Sequence, residues 1–199
     1  MGGLAASILL VATQALAQDD TRPWDKEIHR TWGLGAAFGG GAGAITVRSS
    51  TGSPGSGVLP MVYLPTLEAA FFISPVADVR VSVPIANNAI SSIAVLGFAW
   101  TTDVFVDFYM SQKGIARLFL GPGLGFSVVA SALGAGGGAL RVPCELGLEL
   151  LTTGQHFGFQ ILARPWVEFG GVSGSGQSAS AVAGGAVGML AFVGYFTNQ

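Results

Sequence analysis

Few side chains in this sequence are able to do chemistry. Among 199 residues there are nine Lys and Arg, eleven Asp and Glu, two His and a single Cys. His29 lies in a polar N-terminal stretch and His156 sits at a Thr-Thr-Gly-Gln turn signal. Neither belongs to an identifiable Ser/His/acid set, which activated-nucleophile catalysis requires. Cys144 is alone, so it makes no intramolecular disulfide, and no metal-ligand spacing occurs. What remains is a series of arginines and carboxylates: Glu68, Arg80, Asp103, Asp107, Arg117, Arg141, Glu145, Glu149, Arg164 and Glu168. Such a series can form ion pairs. A carboxylate held by an arginine is a poor general acid. The expectation is therefore no enzyme, no cofactor and no metal.

Composition narrows the setting in which those pairs form. The net charge is −2, with no basic patch to neutralise phosphates, so a nucleic-acid partner is not expected. Only 10% of residues are charged, 50% are hydrophobic and 31 are glycine. The start, MGGLAASILLVATQALAQDD, has an apolar run from Leu4 to Ala12 and then Ala15-Leu16-Ala17. It reads as a secretory signal peptide over 1–17, although its n-region has no Lys or Arg. The run is too short to span ~30 Å of hydrocarbon. A polar tail follows over 18–30, expected in the periplasm. One domain is expected over 31–199.

Within that domain, apolar segments alternate with breaks rich in Gly, Ser, Asn and Thr. The segments are 31–47, 58–73, 78–87, 93–109, 115–130, 139–152, 157–170 and 181–196. The breaks alternate between tight (SPVAD, SQKG, TTGQ) and generally longer (RSSTGSPGSG, ANNAISS, SALGAGGG, GVSGSGQSAS). This spacing predicts antiparallel hairpins.

Successive side chains of a strand point to opposite sides. In 115–129 one side carries Leu118, Leu120, Pro122, Leu124, Phe126 and Val128. The other carries Arg117, Phe119, Gly121, Gly123, Gly125 and Ser127. The segments at 32–43, 93–109, 139–152 and 157–169 divide in the same way; 181–196 does not decide between its two sides. Large apolar groups thus share one face, and glycine shares the other with charge. Glycine is useful where space is tight, inside a narrow barrel. The charged face is then the inside, and the apolar face meets lipid. The predicted fold is all-β, an eight-stranded antiparallel up-and-down transmembrane β-barrel.

Turn positions then give partners. A turn at Gly154-Gln155 sets Glu145 opposite Arg164, Arg141 opposite Glu168 and Glu149 opposite Gln160. The SQKG turn sets Asp107 opposite Arg117. The SPVAD turn sets Glu68 opposite Arg80, and a turn at Ser91-Ser92 sets Arg80 opposite Asp103. Arg48, Asp78 and Lys113 fall in breaks. Trp32, Phe71, Phe72, Phe108, Tyr109, Phe157, Phe159, Tyr195 and Phe196 gather near the tight-turn end, where they are expected to form an interfacial aromatic girdle.

With its signal peptide, eight strands, short turns on one side, polar inner face and Gly-alternating LGPGLGFS at 120–127, the chain resembles the small eight-stranded bacterial outer-membrane barrels of the OmpA/OmpX/OmpW type. No family-specific motif is present. The segment ends Tyr195-Phe196-Thr-Asn-Gln, where such barrels often end in Phe. The resemblance implies a Gram-negative outer-membrane location, with lipids, lipopolysaccharide and the barrel-assembly machinery as partners. The expected role is structural or interactive, with a lumen filled by ion pairs. The alternative is a narrow, porin-like gated channel, or a carrier of small solutes or hydrophobic compounds. Oligomeric state, ligand and solute stay open.

Overall fold

In the computed structural model the chain forms eight strands: β1 (Trp32–Ser49), β2 (Gly55–Ser74), β3 (Ala77–Pro84), β4 (Gly97–Tyr109), β5 (Ala116–Ser131), β6 (Gly136–Leu151), β7 (Phe157–Gly174) and β8 (Gln177–Phe196). The structure describes residues 30–49, 52, 55–84, 97–110, 114–131, 136–152, 156–174 and 177–197. The expected signal peptide, the tail up to His29, Lys113 and the turns at 91–92 and 154–155 lie outside the described residues.

Each strand pairs antiparallel with its sequence neighbours, and β1 closes on β8. The architecture is a closed eight-stranded up-and-down barrel. Strands also account for the described parts of 118–140 and, up to Phe196, for 178–197, two uncharged stretches otherwise long enough for membrane helices. Most strands exceed the 9–11 residues that a tilted transmembrane strand needs. Both ends of the described chain meet at the tight-turn rim, where Trp32 pairs with Phe196 and their rings stack at 4.0 Å.

The exposed surface is apolar. Leu34, Phe38, Leu67, Val104, Leu118, Leu124, Phe126, Leu140, Leu146, Ile161, Val167 and Leu190 all point outward. A water-soluble protein leaves no comparable belt of Leu and Phe uncovered. β8 turns Val187, Met189, Ala191, Val193 and Tyr195 inward and Val182, Leu190, Phe192 and Phe196 outward, which decides the sidedness that its sequence leaves open.

Glycine makes the interior possible. Gly125 faces Asp103, Gly123 faces Phe105, Gly147 faces Phe119, and Gly33 faces Tyr195. A Cβ at any of these four glycines would press into the side chain opposite. Large inward groups therefore sit across from glycine, so they fit inside the lumen without pushing strands apart.

Three registers differ from expectation. β4 and β5 pair Phe108 with Leu120 and Tyr109 with Phe119, so Arg117 is not opposite Asp107. Their connection runs from Met110 to Ile115, with Gly114 at φ 96°, a conformation that suits glycine. It is longer than a two-residue turn, and the pairing slides by four positions. The β2–β3 hairpin turns at Pro75-Val76, with Ser74 opposite Ala77, and a bulge between Phe72 and Ser74 takes back one position, placing Glu68 opposite Ser82 and Arg80 opposite Ala70. On the other side Arg80 faces Phe105, and Asp103 again faces Ser82. The slips are even-numbered, so every side chain keeps its side of the sheet while its partner changes. Two break residues also lie in strands: Asp78 is buried in β3, and Arg48 is exposed near the end of β1.

Candidate functional site: the polar lumen

The inward charges form a connected column along the barrel axis. Near the tight-turn end, Glu149 of β6 is the hub. Arg117 donates to its Oε2 from Nε at 2.8 Å and also from Nη2. Gln160 Nε2 donates to its Oε1 at 3.0 Å, and the Tyr195 hydroxyl donates to the same oxygen. Gln160 Nε2 also donates to the Tyr195 hydroxyl at 3.0 Å. Arg30 Nη1 approaches Glu149 Oε2 at 3.4 Å. Beside this group the Tyr109 hydroxyl donates to Asp78 Oδ2 at 2.8 Å.

One layer further in, Arg80 reaches across the barrel. Its Nε lies 2.9 Å from Asp107 Oδ2 and its Nη1 3.0 Å from Glu145 Oε1. Nη1 donates to Gln160 Oε1 at 2.7 Å, Nη2 donates to the Tyr109 hydroxyl at 3.3 Å, and Asp78 lies 3.9 Å away. The guanidinium rests over Phe119 at 4.9 Å. Arg164 forms the next layer. Its Nε donates to Glu145 Oε2, Nη1 and Nη2 donate to the two oxygens of Glu68 at 3.0 and 3.1 Å, and Nη1 also donates to Ser82 Oγ at 3.1 Å. Ser82 Oγ donates to Glu68 Oε1 at 3.0 Å. Toward the far end, Arg141 Nε lies 3.4 Å from Asp103 Oδ1, and its guanidinium stacks over Trp166 at 4.6 Å. Glu168 faces Arg141 in register and is half-buried.

Arg80, Arg141 and Arg164 are at most 2% exposed, and Glu145, Glu149, Asp107 and Gln160 are 0% exposed. A buried charge of this kind persists only when paired and hydrogen-bonded. The network brings together strands remote in sequence: β2 with β7 through Glu68 and Arg164, and β3 with β6 through Arg80 and Glu145.

Asp107 and Arg117 do not pair with each other. Asp107 belongs to Arg80, and Arg117 to Glu149. Glu68 belongs to Arg164, and Asp103 to Arg141. The girdle also differs. Trp32, Phe71, Phe108, Phe157 and Phe196 are exposed on the apolar face, and Phe159 is half-buried there. Tyr109 and Tyr195, at 5% and 3% exposed, are lumen residues instead, and Phe72 packs against both. Two-residue alternation carries this signal: Tyr109 shares the side of Asp107. Asp78 likewise shares the side of Arg80. Arg30 carries no such signal, because it precedes β1; the structure buries it in the lumen, whereas the polar tail suggested solvent.

No protein-family model and no curated protein sequence matches the chain. Among solved structures it is similar to the outer membrane protein OprG from Pseudomonas aeruginosa, with a TM-score of 0.51 and 14% identity over 86% of this chain and 99% of that one. It is also similar to Neisserial surface protein A, with a TM-score of 0.48 and 11% identity over 83% and 97%. A third likeness is to Ail, the attachment invasion locus protein of Yersinia pestis, with a TM-score of 0.26 and 14% identity over 80% and 99%. The likeness to OprG is one of fold: the chain is a small eight-stranded barrel of the outer-membrane type.

Proposed function

We propose that this protein resides in the outer membrane as a structural or interaction barrel whose lumen is closed by its own ion pairs. Arg80 carries the reading: it contacts carboxylates or hydroxyls from β3, β4 and β6 and an amide from β7 within one lumen layer. Rigid salt links across an eight-stranded interior leave side chains where a water column would run. The exposed Leu and Phe belt supports insertion in lipid. The expected contacts are the membrane's own lipids, including lipopolysaccharide, and the machinery that inserts barrels. The reading is non-catalytic, since the lumen acids are engaged by arginines and His156 is exposed at the tight-turn rim.

Planar-bilayer recording tests the closed lumen. The refolded barrel is expected to leave the bilayer at its baseline conductance. Steady unitary openings that change when Arg80→Met removes the central cross-link would replace this reading with that of a narrow gated channel.

A further inference from the structure

We infer that the tight-turn mouth of the lumen is a guanidinium-binding site, filled by the chain's own Arg30, which latches the preceding segment to the barrel. The backbone brings Arg30 to the rim under constraint. Thr31 N donates to Phe196 O at 3.0 Å, and Phe72 N donates to Thr31 O at 3.0 Å, so Thr31 is held between β8 and β2. One residue earlier, the Arg30 side chain turns into the barrel and is 4% exposed.

A flexible arginine beside open water loses rotamer freedom and hydration when it enters such a mouth. The site compensates from three sides. The guanidinium lies 4.2 Å over the Tyr195 ring and 5.9 Å from the Phe72 ring, with Glu149 Oε2 at 3.4 Å. Two aromatic faces and a carboxylate select a flat, weakly hydrated cation with N–H donors over a compact ammonium.

The site also stands without its occupant. Arg117, Gln160 and Tyr195 already donate to Glu149, and Tyr195 packs on Phe72 independently. Shortening Arg30 therefore leaves the walls in place around an empty space of guanidinium size. The inference does not depend on the lumen being closed, because its readouts are stability and proteolysis.

The test uses the full mature chain refolded in micelles, with melting followed by heat-modifiable gel migration. Arg30→Ala is expected to melt a few degrees below the unsubstituted protein, and trypsin should cut faster after Lys26. Millimolar methylguanidinium should restore at least half of the lost melting temperature, where equal sodium chloride does not. Arg30→Lys, which keeps the charge but loses the flat stacking face, should fall in between. Adding Glu149→Gln to Arg30→Ala should abolish the rescue. The latch is overturned if Arg30→Ala melts and is cleaved like the unsubstituted protein. It is equally overturned if methylguanidinium gives no rescue, or rescues the variant with Glu149→Gln as well.

Discussion

Arg164 shows what one residue contributes to this barrel. It projects from β7 and is the shared partner of Glu145 and Glu68, with Ser82 completing its donors and Phe105 beneath its guanidinium at 4.9 Å. Such a network behaves asymmetrically under mutation. Removing one member strands the others in a medium that cannot solvate them, at about 3–5 kcal/mol, whereas removing the whole set with shape preserved is close to neutral. Arg164→Met alone is therefore expected to lower the folding free energy by about 3–5 kcal/mol in denaturant titration. The triple substitution Arg164→Met, Glu145→Gln, Glu68→Gln should recover most of that loss. A single variant as stable as the parent would show that these pairs are not mutually dependent. Ser82 works at the same scale: a hydroxyl between two acid-bearing strands gives Glu68 a donor and Arg164 an acceptor.

At the scale of strands, side and partner have different physical origins. The side follows from two-residue alternation, and it was legible at Arg117, Gly121 and Leu118 before any register was known. So was the barrel itself, because only a lipid exterior accounts for Leu and Phe opposite a face of charge and glycine. The partner follows from turn length and bulges, which apolar pattern does not encode. The glycine-bearing connection after Tyr109, and the Pro75-Val76 turn together with the bulge after Phe72, give Asp107, Arg117, Glu68 and Arg80 other partners without turning any of them outward. The girdle loses Tyr109 and Tyr195 for the opposite reason: their position along the axis matches the girdle, but two-residue alternation turns both into the lumen. A double-mutant cycle measures the register directly. Asp107→Asn with Arg80→Met is expected to show coupling of about 1–3 kcal/mol. Asp107→Asn with Arg117→Met should be additive within about 0.5 kcal/mol. Coupling in the second cycle and none in the first would restore the tighter β4–β5 turn.

For the whole molecule the arrangement is inverted relative to a protein in water. The lumen holds the arginines and carboxylates, and the outer face holds the bulky hydrocarbons. A soluble ligand-binding barrel has the reverse demand, so one substitution separates the two environments. Leu190 and Phe196 both point outward from β8, but they stand at different depths. Leu190 is six residues from the strand end at Phe196. At ~3.3 Å per residue on a tilted strand that is roughly 15 Å, half of a ~30 Å hydrocarbon core. Phe196 stacks with Trp32 at the rim, where an arginine reaches the headgroups. Leu190→Arg is therefore expected to cost about 2–4 kcal/mol of folding free energy in phospholipid vesicles, and Phe196→Arg about 0–1 kcal/mol from depth alone. Loss of the ring stack adds its own increment of about 0.5–1.5 kcal/mol, so Phe196→Leu serves as the reference for the rim site. Equal, near-zero costs at both depths would mean that water, and not lipid, surrounds this barrel. The inward charges would then need another explanation, because only a hydrocarbon exterior makes the lumen the sole place where they can be held.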